Sequence, residues 1–170
     1  MTEATLGYNH YKSLLDRFLD RLSECFGNDL VSLVLYGSVA RGTAGSNSDI
    51  DLLIVIDDAP ASYRDRLQPL LPILHQMRTE PEYRAMEVDG VVPVISTLIL
   101  SRAEADRNRL LYLDMIEDGR ILHDRDGFFQ GRLRKLSDRL KQLGSKKIRC
   151  NGTWYWDLKP GSRLGETVVL

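Results

Sequence analysis

Apolar residues recur at helical spacing from Asn9 to Phe26, where Leu14, Leu15, Phe18, Leu19, Leu22 and Phe26 fall on one stripe. Asn9 is placed to cap this helix and Gly27 to end it. The pattern then changes. Leu30–Tyr36 and the run through Ile56 that begins near Asp51 are short and nearly continuously apolar, as strands buried on both faces require. Asp57-Asp58-Ala59-Pro60 breaks the second run, and its two acids are expected in a solvated turn and helix start. From Ser62 to about Arg78 a helical pattern returns, interrupted by Pro69 and Pro72. Each proline would cost about 3 kcal/mol in a helix interior, so two short helices, or one that begins near Pro72, satisfy the pattern. Thr79 to Gly90 is polar and without a clear period. Val91–Leu100 predicts a third strand, with Pro93 confining its start to an edge or a bulge. Ser101-Arg102-Ala103-Glu104 is a capping box, opening a helix expected to run to Asp118 and stop at Gly119, with Leu110, Leu111, Leu113 and Ile116 on its apolar face. Arg120–His123 predicts a short fourth strand. Asp126 would cap a last helix from Gly127 to Leu143, closed by Gly144. The sum is an α/β (α+β) fold: a mixed sheet of four to five strands flanked by helices.

Composition changes this picture only at the C-terminal end. The whole chain balances 23 basic against 24 acidic residues, so bulk charge names no partner. Between Gly131 and Arg163, however, only Asp138 and Asp157 oppose a run of lysines and arginines. That end suits a nucleic acid, a triphosphate or an acidic protein, or is simply a solvated helix face. Residues 1–144 read as one domain and 145–170 as a basic aromatic tail. Its Trp154-Tyr155-Trp156 cluster could stack on bases, or dock on the core or on a second subunit of a homo-oligomer. Docking is favoured because so much aromatic surface needs burial. Glu166–Leu170 could add an edge strand. Cys25 and Cys150 lack metal-type spacing, and a bridge between them stays open. No signal-peptide pattern or membrane-spanning run is present, and the expected setting is the reducing cytoplasm. His10, His75 and His123 are not spaced as ligands.

The chemistry gathers between the first two strands, in Tyr36-Gly37-Ser38-Val39-Ala40-Arg41-Gly42 and Ser48-Asp49-Ile50-Asp51. Side chains two apart on a strand share a face, so Asp49 and Asp51 look out together. At about 6 Å and an effective dielectric of about 20 they repel by about 3 kcal/mol. A divalent cation is the natural counter-charge, and Mg²⁺ suits carboxylate oxygens combined with substrate phosphates. Gly37 permits backbone conformations closed to other residues. Ser38 adds a hydroxyl, successive amides of such a turn can nest an anion, and Arg41 can neutralise a phosphate charge.

Gly37-Ser38, a spacer and Asp49-Ile50-Asp51, with Arg41-Gly42 and Ser48 also matching, resemble the signature of small single-domain nucleotidyltransferases of the DNA polymerase beta superfamily. The resemblance spans roughly residues 30–143, taking in the Gly119-Arg120-Ile121-Leu122-His123-Asp124 run. It implies a polymerase-beta-like fold. It also implies that Gly37, Ser38, Arg41 and Ser48 bind the nucleotide, and that Asp49 and Asp51 are the catalytic acids and hold one or two Mg²⁺ ions. The implied activity is transfer of a nucleoside monophosphate, AMP from ATP, to a hydroxyl. In members resembling the antitoxin of two-gene modules, that hydroxyl is a tyrosine of a HEPN-type toxin. Active members carry a third carboxylate on a neighbouring strand. Here the third strand offers Ser96 and Thr97, and only Glu87 or Asp89, just before it, could serve. Two alternatives therefore stay open: a weak or inactive nucleotide-binding module, and an enzyme that modifies RNA ends.

Overall fold

In the computed structural model, which describes residues 5–150, 153–163 and 166–170, a four-stranded mixed sheet runs in the order β3-β2-β1-β4. Its strands are β1 (Leu30–Tyr36), β2 (Asp49–Ile56), β3 (Val94–Ser101) and β4 (Arg120–Asp124). β1 pairs antiparallel with β2 and β4, while β2 pairs parallel with β3. The two central strands are buried on both faces, which is why they read as unbroken apolar runs. Parity along β2 assigns the faces. Ile50, Leu52, Ile54 and Ile56 join one core, whereas Leu53 and Val55 join the other.

The first core is closed by α1 (Tyr8–Phe26), α4 (Leu70–Met77) and α5 (Pro81–Val88). The stripe of α1 that packs there is Tyr11, Leu14, Leu15, Phe18 and Leu22. Gly7, not Asn9, stands at its N-cap, because the helix starts at Tyr8, two residues earlier than an Asn9 cap would allow. Pro69 and Pro72 do split the next segment, into α3 (Tyr63–Leu67) and α4, with Pro69 capping α4 and Pro72 in its first turn. The stretch without a clear period contains α5, which opens on Pro81 and buries Tyr83. β3 begins only after Pro93, at the sheet edge.

The second core is closed by α6 (Arg102–Ala105), α7 (Tyr112–Asp118) and α8 (Phe128–Leu143). The capping box forms in full: Ser101 Oγ accepts from Glu104 N at 3.2 Å, and Glu104 Oε2 accepts from Ser101 N at 2.8 Å. The expected single helix to Asp118 is nevertheless broken after Ala105. The chain doubles back so that the buried Tyr112 donates its hydroxyl to the Ala105 carbonyl at 3.2 Å and meets Phe129 edge-on. Leu110, expected on the apolar face, is left 71% exposed by that turn. Asp126 does not cap α8. It sits at positive φ in the preceding turn, and Asp124 Oδ1 and Oδ2 accept instead from Phe129 N and Gln130 N at 2.9 and 3.0 Å.

Beyond α8 and its left-handed Gly144, β5 (Lys146–Cys150) and β6 (Thr153–Asp157) form a separate antiparallel hairpin. Trp156, Leu158 and Leu170 pack against the second core. Residues 166–170 add no strand. Their carbonyls are taken by side chains instead, Val169 O by Arg139 Nε at 3.1 Å and Leu170 O by Asn108 Nδ2. Cys25 and Cys150 are both free and exposed, which closes the open question of a bridge.

One buried charge ties the two layers together. Arg66, 6% exposed, grips both Glu104 oxygens at 2.6 and 3.0 Å and donates to Ile99 O at 3.2 Å and to Pro60 O. The guanidinium, then the Ser101 amide, hold the Glu104 carboxyl down from 4.5 to about 2. A lowered carboxyl pKa means the unfolded chain binds the extra proton. Its stabilisation is therefore present above pH 4.5 and lost as pH falls toward 2. Urea midpoints across that range should fall with acidification in the wild type. Glu104→Gln should start lower at neutral pH and show a flatter fall.

Candidate active site

β1 delivers the chain to Gly37, where φ is +74° and the backbone turns into α2 (Gly37–Arg41). The expected small-residue turn is thus one short helical turn. The antiparallel register sets Asp51 opposite Tyr36, the residue before that glycine. A Cβ built on Gly37 would lie 2.2 Å from Asp51 Oδ2. Glycine is needed here twice over, for its left-handed backbone and because the carboxylate occupies the space of a side chain. The glycine-serine bend and the second acid are therefore in contact.

Asp49 opens β2 and is exposed, Asp51 is half-buried, and Ile50 between them is fully buried on the opposite face. Neither acid has a cation within ion-pair distance among the described residues. Burial, then the charge of Asp49, pushes the Asp51 carboxyl up, and Arg41 partly offsets both. The pair is an electrostatic deficit held in place by the sheet. Its donor chemistry, two carboxylates on one face beside a turn of backbone amides, fits a hard divalent cation.

The other residues singled out from sequence fall around this pair in different ways. Ser38 is half-buried, its carbonyl accepts from Thr43 N at 3.0 Å, and its hydroxyl has no hydrogen-bond partner among the described residues. Ser48 Oγ accepts from Gly45 N at 3.0 Å while Ser48 N donates to Gly45 O at 3.1 Å, so this side chain shapes the loop that enters β2. Arg41 ends α2, exposed, and its charge reaches both Asp51 and Asp114 of α7.

Among the described residues, no third carboxylate joins them from the neighbouring strand. The parallel register places Val94 beside Asp49 and Ser96 beside Asp51. Glu87 lies in α5 and Asp89 is that helix's C-cap, both before the strand starts. Among the described residues no group of three or more His, Cys, Asp or Glu could hold a metal ion. Asp57, at the opposite end of β2, is not merely solvated but is paired with Arg102 at 3.3 Å and with Arg125.

Sequence reasoning missed Asp114. Burial pushes its carboxyl up, and Arg41 and Lys147 act against that. It follows two buried residues on a short helix, so no periodic signal marks it.

The family described as "Nucleotidyltransferase domain" matches residues 15–118. The Methanocaldococcus jannaschii protein MJ1305, which bears the name of a protein adenylyltransferase, is 30% identical over 132 residues, covering 77% of this chain and 84% of that protein. Among solved structures, spectinomycin adenyltransferase AAD(9) of Enterococcus faecialis, crystallised with ATP and spectinomycin, superposes with a TM-score of 0.53 at 10% identity. The match covers 78% of this chain and 66% of that one. A mutant of the toxin-antitoxin MntA-HpeT gives 0.49 at 15%, over 75% and 87%. At 10% identity the likeness to AAD(9) speaks for the fold alone, a polymerase-beta-like one.

Gly37→Ala and Gly42→Ala separate backbone strain from the carboxylate contact. Both glycines have left-handed φ, but nothing lies within 4 Å of a Cβ at Gly42. Gly42→Ala should cost about 1 kcal/mol of strain alone, and Gly37→Ala about 2 kcal/mol or more because Asp51 must also move. Denaturant titration of both variants checks the difference. A second outcome follows from Asp51. A raised carboxyl pKa means the folded state binds the proton more tightly, so at neutral pH the charged form weighs against folding. Asp51→Asn should therefore raise the thermal midpoint at pH 7, an advantage that fades on acidification.

Proposed function

The chain belongs to the nucleotidyltransferase domain family and is a nucleotidyltransferase, and from that premise we propose that it moves AMP from ATP onto a hydroxyl of a protein. The observation that carries this reading is the contact of the Asp51 carboxylate with Gly37 at the mouth of the Gly37-Ser38 bend. The name of the relative MJ1305 supports a protein acceptor.

In this reading a hydroxyl oxygen of the acceptor attacks the α-phosphorus. The new O–P bond forms as the bond to the bridging oxygen breaks, pyrophosphate leaves, and the hydroxyl proton passes to solvent. Such transfers need positioning and charge neutralisation more than covalent help from the protein. Gly37 and Ser38 hold the β- and γ-phosphates through amides and hydroxyl. Arg41 neutralises phosphate charge, Ser48 keeps the entering loop in shape, and Asp49 and Asp51 would hold Mg²⁺. When bound, Mg²⁺ would supply charge neutralisation to phosphates and to the attacking and leaving oxygens. The acceptor we favour is a tyrosine of a HEPN-type toxin, as in the family members that resemble the antitoxin of two-gene modules. A cytoplasmic setting suits the two exposed free thiols, and among the described residues no helix is long and apolar enough to cross a membrane.

One observation favours a second reading. Ser96 stands beside Asp51 where a third acid would belong, as expected of a module that binds nucleotide and turns over slowly or not at all. ATP labelled at the α-phosphate, given with Mg²⁺, candidate acceptor proteins and RNA, separates the possibilities. Label on protein is the expected outcome. It should be lost, by a factor of a hundred or more, in the Asp49→Asn/Asp51→Asn variant with circular dichroism unchanged. Wild-type transfer by that variant refutes the site. Label on RNA alone refutes the protein acceptor, and ATP binding without transfer supports the module.

A further inference from the structure

The β5–β6 hairpin lies beyond residues 15–118, the part matched by the family. Its register sets Lys147 opposite Trp156 and Arg149 opposite Trp154. Opposed residues, and residues two apart, share a face, so Lys147, Arg149, Trp154 and Trp156 form one face of the hairpin. That face is turned to the body of the protein. Trp156 packs against the second core, and Lys147 pairs with Glu117 of α7. This is also the side of the sheet on which parity places Asp49 and Asp51, since Leu53 and Val55 of the same register belong to that core.

Arg41 completes the arrangement. With Lys147, Arg149 and Trp154 it lines a cleft of about 370 Å³, within the range of small-molecule sites. Lys147 Nζ is held 4.0 Å from the Trp154 ring centroid, a diagonal cation–π contact that preorganises both groups. Three cations thus converge on one cleft with an aromatic wall. Glu117 answers one of them, whereas Arg41 and Arg149 have no ion-pair partner among the described residues. The missing partner is a compact polyanion with a ring attached. A single strand of RNA would instead call for cations strung along a groove with several stacking platforms. Arg41 belongs to both places, closing the helix that starts at Gly37 and forming the cleft's wall.

We propose that the hairpin is part of the nucleotide site, with Lys147 and Arg149 extending the phosphate grip begun by Arg41 and Trp154 stacking on the base of the same nucleoside triphosphate. This rests on the nucleotidyltransferase reading above and adds to it three residues outside the matched domain. The tail is then a working part of the enzyme, and its basic character serves the substrate.

The test is calorimetric titration of the full chain with Mg-ATP and with Mg-tripolyphosphate. Lys147→Ala/Arg149→Ala should weaken both at least tenfold. Arg149→Ala alone, at an exposed position without an ion pair, should weaken both three- to tenfold with an unchanged thermal midpoint, which guards against a hairpin that has simply unfolded. Trp154→Leu should weaken ATP severalfold more than tripolyphosphate. Hairpin variants that bind ATP within twofold of a wild type that does bind it overturn the proposal and leave the transferase reading standing. A wild type that binds no ATP overturns both. Loss of single-stranded RNA binding with ATP affinity intact overturns the proposal in favour of a nucleic-acid ligand.

Discussion

The antiparallel register of β1 on β2 is the constraint from which the site follows. It puts Asp51 opposite the last residue of β1, so that the carboxylate fills the space a side chain on Gly37 would need. A slip of one residue would exchange Asp49 and Asp51 with Ile50 and send two charges into the core beneath α1. The register is secured by the apolar side chains of both strands, buried against opposite cores. Hydrophobic burial over seven or eight residues therefore holds a local arrangement that electrostatics alone would push apart.

The two faces of the sheet divide the labour. Beneath α1, α4 and α5 the core is apolar and closed, and its helices meet the sheet as an amphipathic pattern predicts. The other face carries a core at one end and chemistry at the other. Arg102 and Arg125 fasten Asp57 at the far end of β2, while Asp49 and Asp51 at the near end stay without such partners among the described residues. The same strand thus carries acids of the same type with opposite fates: neutralised at the end where they stitch, and without ion pairs among the described residues beside the Gly37 bend.

How legible this was depended on whether local pattern or distant contact decides each feature. The strand limits at Leu30, Tyr36 and Ile56, the proline-split helices and the full capping box at Ser101 follow from spacing and backbone chemistry within a few residues. The features that escaped were fixed from afar. The helix after Ser101 ends early because Tyr112 returns to the Ala105 carbonyl and packs on Phe129, a partner on another helix. Asp124 caps α8 across a left-handed turn, while also accepting from the buried Ser32 hydroxyl at 2.7 Å, so the nearer Asp126 is bypassed. α5 was legible in principle, since Pro81 sits at a first helical position, but its apolar face is carried mainly by Tyr83 and Met86. In the site, the placement of Gly37, Asp49 and Asp51 was readable because it comes from backbone and strand parity. Asp114 was not, because its relation to Arg41 and Lys147 exists only after α7 and the hairpin have folded against α2.

The balance of charge around Arg41 links these observations. Asp51 on β2 and Asp114 on α7 both feel one exposed guanidinium, and both carboxyls are pushed upward by burial more than the cations pull them down. Across the cleft the imbalance has the other sign, with Arg41, Lys147 and Arg149 converging. A surface with excess negative charge on one side of Arg41 and excess positive charge on the other is poorly satisfied by water and monovalent ions. It is well matched by a ligand that carries both a divalent cation and a polyphosphate. On the proposed reading, a serine rather than a carboxylate beside Asp51 would leave a cation with two acidic donors, and more of the work of holding the substrate would fall to the basic side. On that proposal the basic hairpin and the two-acid strand would answer one physical problem, the charge balance of a single metal–polyphosphate ligand.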